Sequence, residues 1–258
     1  MKVHFYKYQG TGNDFIIIDN RTGDYQLTTR QIVRLCDRKY GVGADGLILF
    51  QNDPDHDFFM NFYNPDGSQS FCGNGSRCTV HFAQYLGVIL DKCRFRAIDG
   101  VHESTVSSEV FRIHMKDVQG IKQIEEFAYY LNTGSPHYVE FVDQLNEVSV
   151  FEEGRAIRYD SRFAPGGTNV NFVEIAAEGH IRVRTYERGV ENETLSCGTG
   201  VTACALAYAH RSGFKGPIKV TSLGGDLQVL FEIKGSSAFH DIWLCGPSLF
   251  VFEGNMEC

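Results

Sequence analysis

The sequence predicts an α/β (α+β) protein of two pseudo-symmetric domains that arose by internal duplication, with an active site in the cleft between them. Three observations indicate this. A cysteine followed by glycine, any residue and glycine occurs at Cys72 and again at Cys197, 125 positions later. Two upstream stretches also repeat in the same order. Short strand-like runs accompany at least one convincing helix in each half.

The upstream repeats turn a pair of similar turns into evidence for a duplicated domain. Three echoes in one order, offset by about 122 to 125 positions, argue for duplication more strongly than any single echo does. The paired stretches are TGNDFIIID (11–19) with TGSPHYVEFVD (133–143), and GVGADGLILF (41–50) with GGTNVNFVEI (166–175). The predicted domains are 1–117 plus 249–258, and 118–248.

The individual elements follow from local patterns. TTRQIVRLCDRKYG predicts a helix that is capped by Thr28 or Thr29 and ends at Gly41. GSRCTVHFAQYL and GVTACALAYAHR, which follow the two cysteines, have apolar residues at helical spacing. FRIHMKDV, YVEFVD and LQVLFEI are β-branched and aromatic runs that predict strands. The last segment, LFVFEGNMEC, is a predicted strand. The symmetry of the two halves predicts that it belongs to the first domain.

Composition and charge exclude several classes of function. The chain has 258 residues, 43% of them apolar, with a net charge of −8. Without a run of lysine and arginine, no nucleic-acid partner is expected. The N-terminal residues are too polar for a signal peptide, and no stretch approaches the roughly 18 apolar residues of a membrane helix. We therefore expect a cytoplasmic protein with no membrane partner.

The eight cysteines do not form a recognisable metal or disulfide pattern. They lie at Cys36, Cys72, Cys78, Cys93, Cys197, Cys204, Cys245 and Cys258. No CxxC pair is present, so neither a structural zinc site nor any other metal is expected. Most of these residues are predicted to be free thiols, and most are interpreted as small buried apolar side chains.

Two of the cysteines are placed where a thiol becomes reactive. Cys72 and Cys197 each precede a predicted helix, whose first N–H groups carry partial positive charge. Such a position lowers the pKa of a thiol from about 8.5 toward neutrality. The neighbouring glycines let a ligand approach those N–H groups closely, and a carboxylate suits them. Each turn could therefore supply both a base and an anion cradle.

Duplication suggests how the two turns act together. One CGxG turn alone is better interpreted as a tight strand-to-helix connection around a buried cysteine. Two copies at matching places favour two thiols on opposite sides of one carbon, one removing a proton and the other returning one. That is racemase chemistry, and it requires no cofactor. GVGADG is not a nucleotide-binding GxGxxG that opens a helix.

Seven motifs in this order resemble the diaminopimelate epimerase family over nearly the whole chain. They are GTGNDF, YGVGADGLI, FYNPDGS leading to CGNGSRC, GSPH, TNVNF, YERG and CGTG. The resemblance implies two domains, each a strand barrel around a central helix, that close on the substrate. It also implies cofactor-independent interconversion of LL- and meso-2,6-diaminopimelate, which feeds lysine and peptidoglycan synthesis. A homodimer is left open.

The resemblance also implies roles for particular residues. Cys72 and Cys197 would be the catalytic bases, with His137 near the first thiol and Glu187 near the second to tune their protonation. Asparagine side chains and the guanidinium of Arg188 suit a zwitterionic substrate. The helix-start residues would offer backbone N–H groups to the reacting carboxylate. The implied substrate-binding residues are Asn13, Asn64, Gly73, Asn74, Asn169, Glu187, Arg188, Gly198 and Thr199.

Two departures and several rival interpretations accompany this resemblance. Many family members have GNPH where this chain has GSPH, and glutamine where it has Gly46, so contacts to the distal end of the substrate could differ. Asn13 and Asn64 could equally be turn residues. The rivals are a proline or hydroxyproline racemase-like enzyme, a phenazine-pathway-like isomerase, a protein that binds an amino acid without chemistry, and a thiol redox protein.

Overall fold

The computed structural model describes residues 1–235 and 238–257, so Cys258 and the end of the last predicted segment lie outside the described residues. The described residues form four α-helices and eighteen strands. They are β1 (Lys2–Gly10), β2 (Asn13–Asp19), α1 (Thr29–Cys36), β3 (Gly46–Gln51), β4 (Phe58–Tyr63), α2 (Gly73–Tyr85), β5 (Lys92–Ala97), β6 (Gly100–Ser107), β7 (Val110–Met115), β8 (Val118–Gln119), β9 (Lys122–Glu125), β10 (Ala128–Asn132), β11 (Pro136–Phe141), α3 (Val150–Arg158), β12 (Asn169–Ala177), β13 (His180–Glu187), β14 (Asn192–Thr194), α4 (Gly198–Ser212), β15 (Ile218–Ser222), β16 (Gly225–Lys234), β17 (Ala238–Gly246) and β18 (Leu249–Glu257).

The chain divides into two compact units, which are Met1–Ile113 with Gly246–Cys258, and His114–Cys245. In the first unit β18 pairs with β1, and the sheet continues through β2, β3, β4, β5, β6 and β7. The β2–β3 and β4–β5 pairs are parallel and the others are antiparallel. Each parallel pair is joined by a segment that contains a helix, as parallel strands require.

Strand β2 shows why the first unit forms layers on both sides of its sheet. The run from Phe15 to Ile18 is completely buried, so both faces of this strand are covered. Ile16 and Ile18 pack in a cluster with Ile32 and Leu35 of α1. Helix α2 contacts β1, β2, β3 and β4, and nearly all of its residues are buried. A helix that is buried on most sides is a core element, and this one carries Cys72 at its start.

Helix α1 is shorter than the sequence predicts. Thr28 caps it with a reciprocal pair of hydrogen bonds to Gln31, but the helix ends at Cys36 rather than at Gly41. Asp37 has an extended backbone, and its carboxylate accepts hydrogen bonds from the N–H groups of Lys39 and Tyr40. This local turn competes with continuation of the helix. Gly41 instead permits a close return of the chain, since a Cβ there would lie 1.9 Å from the Arg34 carbonyl oxygen.

The strands of the second unit also pair with one another in a regular order. Its strands pair in the order β9, β10, β11, β12, β13, β15, β16, β17, β8, and β14 also pairs with β13. Helix α4 contacts β10 to β13, β15 and β16, and its residues from Val201 to Ala209 are all buried. On α3, Val150 packs in a cluster with Val170, Phe172 and Tyr186 of β12 and β13.

The two units repeat one pairing pattern, and this confirms the predicted duplicated α/β fold. From β1 through β7 the pairs run antiparallel, parallel, antiparallel, parallel, antiparallel, antiparallel. From β10 through β13 and on through β15, β16 and β17 they run in the same series. Helices α1 and α3 occupy corresponding connections, as do α2 and α4.

Candidate active site

In the first unit, Cys72 is the N-cap residue of α2. Its sulfur accepts a hydrogen bond from the Gly75 N–H at 3.4 Å, and the ladder of the helix begins with the Ser76 N–H bonding the Cys72 carbonyl. Cys72 is half-buried, whereas the helix residues that follow it are buried. The thiol therefore lies at the positive end of a core helix, where a thiolate is stabilised.

Asn13 joins the β1–β2 turn to this helix start. Its Nδ2 donates to the Asp45 carboxylate at 2.8 Å, which fixes the orientation of the amide. Its Oδ1 consequently faces the helix and accepts from Asn74 Nδ2 at 3.2 Å and from Cys72 Sγ at 3.8 Å. The structure thus brings together Asn13, Cys72 and Asn74, three of the residues that the sequence singled out in this unit.

A cluster of charged residues surrounds Asp45, the carboxylate to which Asn13 is bonded. Arg38 bonds both Asp14 and Asp45 at 2.7 Å, and Lys7 forms an ion pair with Asp14 at 2.7 Å. Burial alone would raise the pKa of Asp14, but hydrogen bonds from Arg38 and Lys7 hold it well below its usual range. Asp14 is therefore held as an acceptor, and the contact with Asp45 keeps the Asn13 amide in one orientation.

Asn64 lies in a turn of its own. Its Nδ2 donates to Ser68 Oγ at 3.0 Å and to Ser70 Oγ at 3.2 Å, and its backbone N–H bonds the Ser68 carbonyl. The amide holds the turn between β4 and α2 together. Binding of a ligand by this side chain stays a prediction.

In the second unit, Cys197 is the N-cap residue of α4. Its sulfur lies 3.5 Å from Thr199 Oγ1, and the ladder of the helix begins with the Val201 N–H bonding the Cys197 carbonyl. The N–H groups of Gly198 and Thr199 precede that first bond, so they lie at the end of the helix where N–H groups point outward. Each helix start thus leaves its first N–H groups outside the helical ladder, and binding of an anion by these groups stays a prediction.

His137 lies beside Thr199 in this unit, and Thr199 links it to the second thiol, Cys197. The expected place of His137 near the first thiol stays a prediction. Its Nε2 is 3.0 Å from Thr199 Oγ1 and 3.0 Å from Ser135 Oγ, while its Nδ1 accepts from Asn171 Nδ2 at 3.2 Å. The ring is completely buried. Burial and the nearby charge of Arg188 lower the pKa of His137 to about 3. The imidazole is therefore neutral at physiological pH.

The other predicted residues of this unit lie around the same strands. Asn169 donates to Ser135 Oγ and to the Pro136 carbonyl, both at 2.9 Å, and its Oδ1 accepts from the Arg188 N–H. Ser135, one of the two departures from the resemblance, thus connects Asn169 with His137. Glu187 and Arg188 lie at the C-terminal end of strand β13. Glu187 accepts from Thr194 Oγ1 at 2.9 Å, and Arg188 Nη1 donates to the Gly166 carbonyl at 3.3 Å.

The second glycine of each CGxG turn serves packing within its own domain. A Cβ at Gly200 would lie 2.6 Å from Asn171 Oδ1, and a Cβ at Gly75 would lie 3.2 Å from Met60 Cε. Both glycines therefore let the helix approach the strands beneath it. This differs from the expectation that each glycine opens space for a ligand.

Sequence reasoning missed Asn171 and Thr185. Asn171 donates to the Tyr138 carbonyl at 2.8 Å and accepts from Thr185 Oγ1 at 3.0 Å, and both residues are buried. The available signal was the second asparagine of TNVNF. It shares a strand face with Asn169, because side chains alternate along a strand.

Four of the other buried cysteines have pKa values that are raised by burial. Burial raises the pKa of Cys36 to about 11 and that of Cys78 and Cys93 to about 12, and it raises the pKa of Cys204 well above its usual value. These four are free thiols that stay protonated. Within the described ranges no group of three His, Cys, Asp or Glu side chains could hold a metal ion. None of the described helices is long and apolar enough to cross a membrane.

Comparison with known proteins assigns this arrangement to a family. The family model described as diaminopimelate epimerase matches the chain twice, over residues 5–119 and 129–242. The chain belongs to the diaminopimelate epimerase family. A diaminopimelate epimerase of Flavobacterium psychrophilum is 48% identical over 252 residues, covering 96% of this chain and 98% of the relative. One of Aquifex aeolicus is 39% identical, covering 99% and 98%.

Solved structures show that the fold is shared beyond the diaminopimelate epimerase family. A phenazine biosynthesis protein of the PhzF family from Bacillus anthracis has a TM-score of 0.79 at 15% identity, covering 100% of both chains. A hydroxyproline epimerase from Agrobacterium vitis has a TM-score of 0.71 at 14% identity, covering 99% of this chain and 92% of that one. At such identities the likeness shows the fold alone.

Proposed function

We propose that this protein is a cofactor-independent, two-base epimerase that interconverts LL- and meso-2,6-diaminopimelate. The observation that carries the proposal is the occurrence of a cysteine at the start of a core helix in each half of a duplicated fold. Membership of the family and the names of its close relatives supply the substrate. The place of the reaction in lysine and peptidoglycan synthesis, and the cytoplasmic location, stay predictions.

The chemistry needs a base on each face of the α-carbon. In one direction the Cys72 thiolate removes the α-proton while the Cys197 thiol donates a proton to the other face, and in the opposite direction the roles reverse. Each turnover therefore exchanges the substrate proton for one derived from solvent through the thiol. The local position of both sulfurs at helix N-termini supports this, because that position stabilises the thiolate form.

The carbanion that forms needs electrostatic stabilisation. We propose that the N–H groups of Gly73, Asn74, Gly198 and Thr199 bind the reacting carboxylate. Donors fixed before the reaction stabilise developing charge without reorganisation, and this is the largest single contribution in many enzymes. Asn13, Asn64, Asn169 and Arg188 would bind the polar groups of the substrate at its ends.

His137 and Glu187 are proposed to tune the thiols. The low pKa of His137 makes its ring a neutral hydrogen-bond donor and acceptor rather than a cation that pairs with a thiolate. Its contacts reach Thr199 and Ser135, so it acts through hydroxyl groups. Glu187 accepts a hydrogen bond from Thr194 and would affect the thiols by its charge.

Solvent-exchange measurements test the proposal. The reduced protein, free of pyridoxal phosphate, is incubated in deuterated water with LL-diaminopimelate, and products are analysed by mass spectrometry and chiral separation. We expect deuterium at one α-carbon and formation of the meso isomer. L-Proline and trans-4-hydroxy-L-proline are run in parallel, and exchange with these substrates alone would favour the racemase rival. Folded, reduced protein that introduces no deuterium into diaminopimelate would refute the proposal.

A further inference from the structure

We infer that Asn171 and Thr185 are positioning residues, which hold His137 as the Nε2–H tautomer so that the Thr199 hydroxyl donates to the sulfur of Cys197. The inference rests on the proposed function only in that Cys197 acts there as a base. In this inference neither Asn171 nor Thr185 touches the substrate. They act through His137 and Thr199 on the thiol.

The tautomer of His137 follows from a chain of fixed orientations. Asn171 Nδ2 donates to the Tyr138 carbonyl, which can only accept, so the amide cannot be reversed. Its oxygen accepts from Thr185 Oγ1 on the opposite side. The same Nδ2 lies 3.2 Å from His137 Nδ1, and a donor there requires Nδ1 to be the unprotonated nitrogen. The proton of the neutral ring is therefore on Nε2.

This proton decides what the Thr199 hydroxyl does. Nε2 lies 3.0 Å from Thr199 Oγ1 and 3.0 Å from Ser135 Oγ, and its one hydrogen serves these two oxygens. A protonated Nε2 cannot accept, so the Thr199 hydroxyl hydrogen is not used toward the ring. Cys197 Sγ and Ser135 Oγ each lie 3.5 Å from the same oxygen. Ser135 Oγ already accepts from Asn169, and a thiolate is a charged acceptor, so in the proposed arrangement the sulfur receives that hydrogen. In the opposite tautomer the hydroxyl would donate to Nε2 instead, and the thiolate would lose a donor.

The first domain provides an internal comparison. His137, Asn171 and Thr185 have counterparts in the strand pairing of the first domain. Ile48 pairs with Phe62 just as Asn171 pairs with Thr185. Phe15 pairs with the residue two positions before Ile48, just as His137 pairs with the residue two positions before Asn171. The helix glycines agree with this match. A Cβ at Gly75 would meet Ile48 and Phe15, whereas one at Gly200 would meet Asn171 and His137.

One set is apolar and the other is polar, and both are buried. The fold is therefore compatible with apolar side chains at these positions. Burying polar groups costs free energy unless every one is hydrogen-bonded, and in the second domain the bonds run without interruption from Thr185 to Thr199. What this polar set offers at its end, and the apolar set cannot, is an N–H directed at the hydroxyl beside Cys197.

The test measures the tautomer and the reactivity of the thiol without using diaminopimelate. The protein is labelled with ¹⁵N-histidine, and the His137 ring signals are identified by their loss in His137→Gln. Alkylation of Cys197 by iodoacetamide is followed by mass spectrometry, with Cys72 in the same sample as the reference. The variants are Asn171→Leu/Thr185→Val, which removes the network partners together, Thr199→Val, and the combination of all three. Ile48→Val is the matched core change in the first domain.

We expect a protonated Nε2 and an unprotonated Nδ1 in the parent protein. Asn171→Leu/Thr185→Val should lose this single tautomer, and its Cys197-to-Cys72 alkylation ratio should fall about 10-fold, the size expected for a hydrogen bond to a charged group. Thr199→Val should lower the ratio equally while keeping the tautomer. The combined variant should show no additional loss, because each change removes the same hydrogen-bond donor to the sulfur of Cys197. Ile48→Val should leave the ratio unchanged.

Two results would overturn the inference. One is a parent protein with the proton on Nδ1. The other is a further fall in the Cys197 ratio when Asn171→Leu/Thr185→Val is added to Thr199→Val, which would mean that the pair does not act through Thr199. If the double variant fails to fold, the parent spectrum and Thr199→Val decide the matter. Failure of the proposed epimerase activity is recognised separately, by the deuterium experiment.

Discussion

The ring of Phe62 occupies the space into which a side chain at position 46 would project. A Cβ built at Gly46 would lie 2.3 Å from Phe62 Cε2 and 3.0 Å from the Tyr63 carbonyl oxygen. Phe62 is buried and also contacts the ring of Phe15. The absence of a side chain at this position is therefore matched by an aromatic ring on the adjacent strand.

Gly46→Ala should accordingly destabilise the first domain. Forcing a methyl group against a packed ring costs about 1–3 kcal/mol. Phe62→Leu in the same chain should recover part of that loss, so that the double variant is more stable than the sum of the single effects implies. Urea unfolding of the four proteins measures this. Equal unfolding midpoints for the parent and Gly46→Ala would contradict the explanation.

Gly200→Ala and Gly75→Ala form a matched pair across the duplication. Alanine normally stabilises a helix interior over glycine by up to about 1 kcal/mol. At Gly200 the methyl group would displace Asn171, whose oxygen lies 2.6 Å away, while at Gly75 the nearest atoms are apolar side-chain ends at 3.2 to 3.4 Å. We expect Gly200→Ala to slow the incorporation of deuterium into diaminopimelate more than Gly75→Ala does. A larger loss in Gly75→Ala would show that displacing Asn171 is harmless.

His137 should make the second domain less stable in mild acid. Its pKa falls from 6.5 to about 3 on folding, so below about pH 6.5 the unfolded chain binds a proton that the folded protein does not. Stability from this group is present above that pH and is lost at about 1.4 kcal/mol per pH unit as the pH falls toward 3. His137→Gln should have a shallower slope between about pH 6 and 4 in denaturant titrations. An unchanged slope would show that the histidine is protonated in the folded state.

The two helix-start cysteines should be separable from the buried ones by activity. Cys72→Ala and Cys197→Ala should each reduce epimerisation by at least about 100-fold, since a positioned acid or base contributes about 10²–10⁴ in rate. Cys78→Ala and Cys204→Ala are the controls on the same two helices. Burial raises the pKa of both control thiols, so they supply no thiolate and their variants should remain active. Full activity in Cys72→Ala or Cys197→Ala would refute the two-base mechanism.

The duplicated α/β fold could be predicted because its signals are local and repeated. The CGxG turns, the capping pattern at Thr28 and the buried run from Phe15 to Ile18 each reflect the chemistry of neighbouring residues. The end of α1 was predicted wrongly. Gly41 was predicted to end the helix, but the helix ends earlier, because the Asp37 carboxylate accepts hydrogen bonds from the N–H groups of Lys39 and Tyr40.

The candidate site divides in the same way. Cys72 and Cys197 stand out in the sequence because a thiol at a helix start has consequences that depend on the adjacent backbone alone. The orientation of Asn13 depends on Asp45, 32 positions away, and the tautomer of His137 depends on Asn171, 34 positions away. Patterns of neighbouring residues therefore cannot reveal these pairs.

The sequence by itself therefore determined the repeat, the fold class, the family and the position of two cysteines at helix starts. Only the tertiary structure decided which groups face those cysteines. It did so because strand pairing brings Asn171 against His137 and Thr185, and puts apolar Phe15, Ile48 and Phe62 at the matching places of the other domain. Two turns that look alike in the sequence consequently have different surroundings, and hydrogen-bond direction inside a buried network is set by partners that are distant along the chain.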